Sequence, residues 1–208
     1  MAAGIVAMVA AALVLDVRVS TLIHDRALPA SVKSATWPKV AKSPGHFAFT
    51  AVLAALVIAV RKRWQPGAAM ILAALGAGLF YTVAKWCVGR TRPFKGIGPF
   101  ELHPFAKGLT GLWKAENMAF PSGHACLAFS TAAVMGLILP RWWWAFYVLA
   151  AGVGVERVLE GAHYPSDVVA AMILGILAAI AAWRLVVEPR NAVNEPAGSA
   201  VAVSPGKS

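Results

Sequence analysis

Long apolar runs separated by short polar segments dominate this 208-residue chain. Within the runs, apolar residues surround the whole helix circumference, whereas a surface helix of a soluble protein carries them on one stripe. Several runs fall short of the roughly 20 residues that cross a ~30 Å hydrocarbon core, but flanking residues such as Arg61 and Trp64 can extend a span into the interface. The pattern therefore predicts an all-α integral membrane protein with about six transmembrane helices. The predicted spans are residues 2–15, 47–60, 67–84, 125–139, 142–155 and 168–187.

The composition supports a membrane setting. Hydrophobic residues make up 59% of the chain and charged residues only 13%, against about 25% charged residues in an ordinary soluble protein. This disfavours the alternative of a soluble bundle with buried core helices. The N-terminal run lacks the basic region of a signal peptide and is interpreted as an uncleaved first span. Residues 191–208 are small and polar with two prolines, which predicts a disordered tail after a single domain of residues 1–190.

The formal net charge is +10. On a membrane protein, a basic excess indicates contact with anionic lipid head groups or with a phosphate-bearing ligand. Nucleic acid is not expected as a partner, because the chain has no soluble basic module and its tryptophans, such as Trp142 and Trp143, fit an aromatic belt at the membrane interface. The two cysteines, Cys87 and Cys126, have neither zinc-site nor disulfide spacing, so we expect free thiols.

Three polar clusters lie at the ends of the apolar spans, where ionisable residues are costly and indicate function. They are residues 85–93, 121–124 and 156–167, and counting the spans puts all three on one side of the membrane. Their cationic side chains suit phosphate oxygens. A helix start at Pro121 and Ser122 would add backbone N–H groups and the positive end of a helix dipole. The sequence therefore predicts a phosphate site, with Lys85, Arg90, Arg92 and Arg157 as its cations.

Two histidines and a carboxylate, His124, His163 and Asp167, accompany these cations. A histidine nucleophile must present a neutral nitrogen to phosphorus, and a carboxylate such as Asp167 can fix that tautomer. A second, protonated histidine can give a proton to the leaving oxygen. Because the cations and the helix N-terminus can neutralise the developing charge, we expect no metal and no cofactor. The sequence also contains no carboxylate cluster suited to Mg²⁺ or Ca²⁺.

The spacing of these residues resembles the three-part signature of the type 2 phosphatidic acid phosphatase superfamily. The matching segments are Lys85, six residues, Arg92 and Pro93; Pro121, Ser122, Gly123 and His124; and Arg157, five residues, His163, three residues and Asp167. The resemblance implies a six-helix membrane fold and metal-independent hydrolysis of a phosphomonoester or pyrophosphate through a phosphohistidine. It implies that His163 is the nucleophile, that Asp167 orients it and that His124 is the general acid. The phosphate-binding residues that it implies are Lys85, Arg92, Ser122, Gly123 and Arg157.

One position departs from the signature, because Glu156 stands where the family usually has serine. Neighbouring residues on a helix point in different directions, so Glu156 is expected to pair with Arg90 or Lys95 rather than with Arg157. Arg90 lies outside the signature spacing. Its replacement is therefore expected to matter less than the replacement of Arg92.

The location of the site favours a lipid phosphate over a soluble ester. The candidates are phosphatidic acid, phosphatidylglycerophosphate, undecaprenyl pyrophosphate and lipid A, and the sequence does not rank them. The connection of residues 94–120 fits a cover that grips an acyl or isoprenyl chain, and it equally fits an ordinary amphipathic surface loop.

The expected location is a bacterial plasma membrane with the site facing the periplasm. Basic residues are more numerous on the catalytic side, which by itself favours the cytoplasm. We weigh the short loop with Arg61, Lys62 and Arg63 more heavily as a retention signal, and relatives of this type usually face the periplasm. A transporter for phosphate-bearing ligands and a structural scaffold are the alternatives, but neither needs two histidines and an aspartate in this arrangement. The oligomeric state stays open.

Overall fold

The computed structural model describes residues 2–25, 43–93, 98–105, 108 and 118–188. This part of the chain forms six α-helices and two short 3-10 turns, and no strand occurs in it beyond isolated bridges. The all-α prediction is confirmed for these residues, and each predicted span overlaps one helix. The proposed tail of residues 191–208 lies outside the described residues. The helices are α1 (Ala2–Asp25), α2 (Phe47–Arg61), α3 (Trp64–Val88), α4 (Gly123–Ile138), α5 (Trp143–Leu159) and α6 (Pro165–Val186).

Two of the described helices, α3 and α6, are long and apolar enough to cross a membrane. Their 25 and 22 residues correspond to about 37 and 33 Å of helix, which matches the ~30 Å hydrocarbon core. The α2 and α4 helices are apolar but shorter. The count of six spans therefore stays a prediction.

The α4 helix forms the centre of the bundle and packs against α3, α5 and α6. Its residues from Ala125 to Met135 are all buried. Small residues allow the close contacts: a Cβ atom on Gly175 of α6 would lie 2.5 Å from the carbonyl oxygen of Cys126, and one on Gly154 of α5 would lie 2.5 Å from Val168. Such small-residue contacts are typical of packing between membrane helices. Cys126 is a buried free thiol and Cys87 an exposed one.

The connections at one end of the bundle bring the polar clusters together. The α3 helix ends at Gly89, whose φ of 60° and whose contact with the His103 backbone leave no room for a Cβ atom. Isolated bridges join Arg90 to Leu102 and Thr91 to Met118. Of the 94–120 connection, the structure describes 98–105, 108 and 118–120. Among its described apolar side chains, Phe100, Leu102 and Phe105 are exposed, whereas Met118 is buried.

Candidate active site

His163 lies in the short connection between α5 and α6 and is 2% exposed. Its backbone N–H donates to the carbonyl oxygen of Arg157 over 3.3 Å, and its Nδ1 lies 2.6 Å from the carbonyl oxygen of Ala119. A carbonyl oxygen can only accept a hydrogen bond, so Nδ1 carries the proton and Nε2 keeps a free lone pair. The backbone of Ala119 thus fixes the tautomer that a nucleophile requires.

The surroundings of His163 keep its ring uncharged. The pKa of His163 is lowered to about 4, chiefly by burial and additionally by the charges of Lys85 and Arg92, while Asp167 opposes the shift. The Asp167 carboxylate lies 3.7 Å from Nδ1, which is beyond a normal hydrogen bond. Asp167 therefore acts on His163 chiefly through its charge, while Ala119 supplies the short hydrogen bond. At neutral pH the imidazole is the free base.

Asp167 is itself held by Arg90. Nη1 of Arg90 donates to Asp167 Oδ1 over 2.7 Å, and Nη2 donates to Asp16 Oδ2 over 2.8 Å. Nη1 also reaches the hydroxyl of Ser166, and Nε reaches the carbonyl oxygen of Pro99, both over 2.7 Å. Arg90 is buried, and both carboxylates are fully so. Buried charges of this kind require such pairing.

Asp16 joins α1 to the start of α6. Its Oδ1 accepts from the backbone N–H of Ser166 over 2.9 Å, and its Oδ2 accepts from the Ser166 hydroxyl over 2.5 Å. Asp167 Oδ2 accepts from the backbone N–H of Tyr164 over 2.8 Å. The Arg90 guanidinium stacks 4.1 Å from the centre of the Tyr164 ring, whose pKa burial raises to about 12. The phenol is therefore uncharged, as a cation–π contact prefers.

Asp16 is not among the residues predicted from the sequence, and Arg90 was predicted only as a cation of the phosphate site and a possible partner of Glu156. A signal existed for Asp16, because an ionisable residue within an apolar run needs a buried partner. The identity of that partner was not accessible, because 74 positions separate Asp16 from Arg90. Arg90 was recognised as a cation, but nothing in its spacing indicated that it binds Asp167 rather than a ligand.

The expected phosphate-binding cations lie around His163. Lys85 is buried near the end of α3, and its Nζ donates to the carbonyl oxygen of Met118 over 2.8 Å. Its charge interacts with those of Arg92 and Arg157. Arg157 is buried near the end of α5, and its carbonyl oxygen accepts from the His163 backbone. Lys85 thus interacts electrostatically with both arginines, and Lys85 and Arg92 also interact with His163.

The surroundings of Glu156 correct one expectation. Its carboxylate lies 3.7 Å from Nη1 of Arg157, which also bonds Glu160. Arg90 is bound to Asp16 and Asp167, so the expected pairing of Glu156 with Arg90 is wrong, and Lys95 lies outside the described residues. The long arginine side chain reaches back to its sequence neighbour because a carboxylate buried beside it needs the nearest cation.

The Pro121–His124 segment forms the start of α4, as the sequence predicts. Ser122 is the N-cap and is fully buried, and its Oγ has no hydrogen-bond partner among the described residues. The Ser122 backbone N–H donates to the carbonyl oxygen of Asp167 over 3.2 Å, which ties the segment to α6. A Cβ atom on Gly123 would lie 3.3 Å from the Tyr81 ring. The His124 ring packs edge-to-face on His46, with 4.8 Å between ring centres.

The arrangement combines a neutral histidine base, several cations and a helix N-terminus. The positive end of the α4 dipole and the first-turn N–H groups favour an anion at Ser122 and Gly123. Among the described residues, no three His, Cys, Asp or Glu side chains are grouped closely enough to hold a metal ion. The roles of the individual residues stay predictions.

Known proteins are similar to this chain in sequence. The family model described as the PAP2 superfamily matches residues 66–190. The lipid A 1-phosphatase of Rhizobium etli is 36% identical over 111 residues, which cover 52% of this chain and 45% of that protein. The undecaprenyl-diphosphatase of Sulfolobus acidocaldarius is 29% identical over 123 residues, covering 58% of this chain and 55% of that protein. The chain thus matches about half the length of these curated relatives.

A solved structure shares the fold. The transmembrane PAP2-type phosphatidylglycerolphosphate phosphatase of Bacillus subtilis superposes with a TM-score of 0.50 at 20% identity, covering 90% of this chain and 98% of that one. The likeness concerns the fold alone. The match of the family model over more than half of the sequence confirms the resemblance read from Lys85 to Asp167: the chain belongs to the PAP2 superfamily.

Proposed function

We propose that this protein is an integral-membrane phosphatase that hydrolyses a lipid phosphate or pyrophosphate through a phosphohistidine intermediate, without a metal. The observation that carries the proposal is the buried His163, whose Nδ1 is bound to the Ala119 carbonyl oxygen over 2.6 Å. That bond leaves Nε2 as a neutral nucleophile beside the charges of Lys85 and Arg92.

In the first step, Nε2 of His163 attacks phosphorus and a new N–P bond forms as the bond to the leaving oxygen breaks. His124, protonated, gives its proton to that oxygen, so the lipid leaves as an alcohol. For a pyrophosphate, the leaving group is a phosphate ester. The imidazole ring becomes positive while Nδ1 keeps its proton, and the Asp167 charge stabilises it. In the second step, water gives a proton to His124 and attacks phosphorus, and His163 regains its lone pair.

The transferred phosphate carries negative charge through both steps. We assign its binding to Lys85, Arg92 and Arg157, together with the Ser122 hydroxyl and the N–H of Gly123. The Ser122 assignment is supported by a buried Oγ without a partner among the described residues, because an unsatisfied buried hydroxyl is costly and a phosphate oxygen would satisfy it. Arg157 has Glu160 as its partner, so a bound phosphate must compete with that carboxylate.

The substrate class is a lipid bearing a phosphate or diphosphate. Support comes from the names of the two relatives given above, a lipid A 1-phosphatase and an undecaprenyl-diphosphatase. They act on different lipids, so the candidates remain phosphatidic acid, phosphatidylglycerophosphate, undecaprenyl pyrophosphate and lipid A. A transporter of phosphate-bearing ligands would need the cations but not a histidine whose tautomer is fixed.

The proposed setting is a bacterial plasma membrane crossed by six helices, within a domain of residues 1–190. The α3 and α6 lengths support spanning. All the proposed site residues lie at one end of the bundle. We place that end in the periplasm, with Arg61, Lys62 and Arg63 on the cytoplasmic side.

The test is phosphate release by the purified protein in detergent with EDTA present, on a panel of the four candidate lipids. We expect release from at least one lipid and inhibition by vanadate, which mimics a phosphoryl transition state. Release from none of them, or release that requires an added metal ion, would overturn the proposal.

A further inference from the structure

A groove of about 680 Å³ lies between the N-terminal end of α2 and the C-terminal half of α5. Its volume falls within the ~300–1,000 Å³ of known ligand sites. Its lining is almost entirely apolar, and four of the side chains named here are also exposed. The lining includes Pro44, Phe49, Val148, Gly152, Val155 and Leu159.

Both walls of the groove reach residues of the candidate active site. On the α5 side, Glu156 lines the groove and its carboxylate lies 3.7 Å from Arg157. On the α2 side, Pro44 is followed by Gly45 and His46. A Cβ atom on Gly45 would lie 2.8 Å from the His124 carbonyl oxygen, and the His46 ring packs on the His124 ring. Each wall of the groove therefore lies directly beside a residue of the candidate site, Arg157 on the α5 side and His124 on the α2 side.

The length of the groove matches one leaflet of a bilayer. Its α5 wall runs from Val148 to Leu159, which is about 16 Å at 1.5 Å per residue. Half of a ~30 Å hydrocarbon core is about 15 Å. The groove thus starts at the depth of the candidate site and extends along the helix over the distance that an acyl chain of the same leaflet occupies.

We propose that this groove binds a hydrocarbon chain of the substrate while the phosphate lies at His163. The inference rests on the proposed function, because it assumes that the site receives a lipid phosphate. An apolar lining has no hydrogen-bonding groups for a sugar or a glycerol head group. A hydrocarbon chain of the substrate that leaves the bilayer and binds in the groove would instead hold the attached phosphate beside Arg157. The groove would favour long-chain substrates over soluble phosphate esters.

Gly152 provides a substitution that tests the groove without disturbing the packing. A Cβ atom at this position would meet no atom within 4 Å, so a larger side chain extends into the groove instead of into the protein. Replacement of a mid-helix glycine also favours the helix. Gly152→Trp should fill the groove and Gly152→Leu should narrow it. Leu75→Trp, at a position exposed on α3, controls for a bulky residue on the outer surface.

The kinetic comparison uses dioleoyl phosphatidic acid and its dihexanoyl analogue in detergent micelles. For Gly152→Trp we expect kcat/KM on the dioleoyl lipid to fall at least tenfold, mainly through KM, and to change less than threefold on the dihexanoyl lipid. The kcat/KM of Gly152→Leu on the dioleoyl lipid should lie between those of the wild type and Gly152→Trp. Leu75→Trp should leave kcat/KM unchanged on both lipids. Equal losses on both lipids, or no loss on either, would overturn the groove as a chain site.

A labelling experiment separates this inference from the proposed activity. Phosphatidic acid with a photoactivatable diazirine in one acyl chain is irradiated with the protein, and the labelled peptides are identified by mass spectrometry. We expect label within residues 148–159 in the wild type and in Leu75→Trp, and at most a tenth of it in Gly152→Trp. This readout does not depend on turnover. Label on α5 without phosphate release would refute the activity alone, and phosphate release with label elsewhere would refute the groove alone.

Discussion

Replacing Arg90 by lysine should impair the proposed activity as severely as replacing Arg92 by lysine. This prediction replaces the sequence-based expectation that Arg90, which lies outside the family signature, matters less. Four hydrogen bonds from three nitrogen atoms connect Arg90 to Asp16, Ser166, Asp167 and Pro99. A lysine ammonium is a point charge on a single stem, so it cannot reach both carboxylates in the same fork geometry. One carboxylate of the pair would be left buried without its partner.

The magnitude follows from the bonds lost. A hydrogen bond to a charged group contributes about 1.5–3 kcal/mol. Lysine would lose the bond to one carboxylate and at least one of the bonds to Ser166 and Pro99, so the cost is at least about 3 kcal/mol. If this loss falls on the orientation of Asp167 and His163 in the transition state, the rate falls on the order of 100-fold. If it falls on folding, the stability drops by a similar free energy, which is a large share of the ~5–15 kcal/mol of a typical domain.

The assay measures kcat and the thermal unfolding temperature for Arg90→Lys, Arg92→Lys and Asp16→Asn in the same detergent. We expect Arg90→Lys and Asp16→Asn to lower both quantities, because both disrupt the buried network. Arg92→Lys should lower kcat/KM with little change in unfolding, because its expected role is contact with phosphate. Wild-type kcat and unfolding temperature in Arg90→Lys would refute the network as a support of the site.

Three further predictions test individual roles. The acid limb of the pH profile of kcat/KM should lie near pH 4, because His163 is active only when neutral and is protonated as the pH falls through its pKa of about 4. An acid limb near pH 6.5 would mean that the nucleophile is not this buried ring. His124→Ala should slow lipid phosphates far more than esters with activated leaving groups, since only the proton donor is lost, and equal losses would contradict the acid role. Glu156→Ser, assayed on the four-lipid panel, should leave turnover within threefold, because Glu160 still pairs with Arg157; an altered ranking of the lipids would instead make Glu156 a substrate-recognition residue.

The helices were predictable because an apolar run is contiguous in the sequence and can be recognised without knowledge of tertiary contacts. All six runs correspond to helices, and only the ends differ, as where α1 continues to Asp25. The start of α4 was predictable too, since proline and serine before an apolar run specify a helix N-terminus locally.

The supports of the site were not predictable from the same signals. The Ala119 carbonyl oxygen that accepts from His163 belongs to the backbone. Every residue has such a carbonyl group, so the identity of residue 119 does not indicate this hydrogen bond. The pairing of Asp16 with Arg90 joins the first helix to the end of the third, and its geometry exists only once the helices pack. The expectation that Glu156 avoids Arg157 was wrong, as was its pairing with Arg90, because the rule for neighbouring helical residues ignores the reach of a long arginine side chain.

The central claim is that His163 carries the phosphoryl group, and rapid-quench labelling tests it most directly. The protein is mixed with a lipid phosphate labelled with ³²P, quenched in alkali, where phosphohistidine survives, and digested for mass spectrometry. We predict phosphate on the peptide that contains His163, at Nε2, formed before lipid hydrolysis is complete. The label should be absent from His163→Ala, which should not turn over. Label on another residue, or full turnover by His163→Ala, would contradict it.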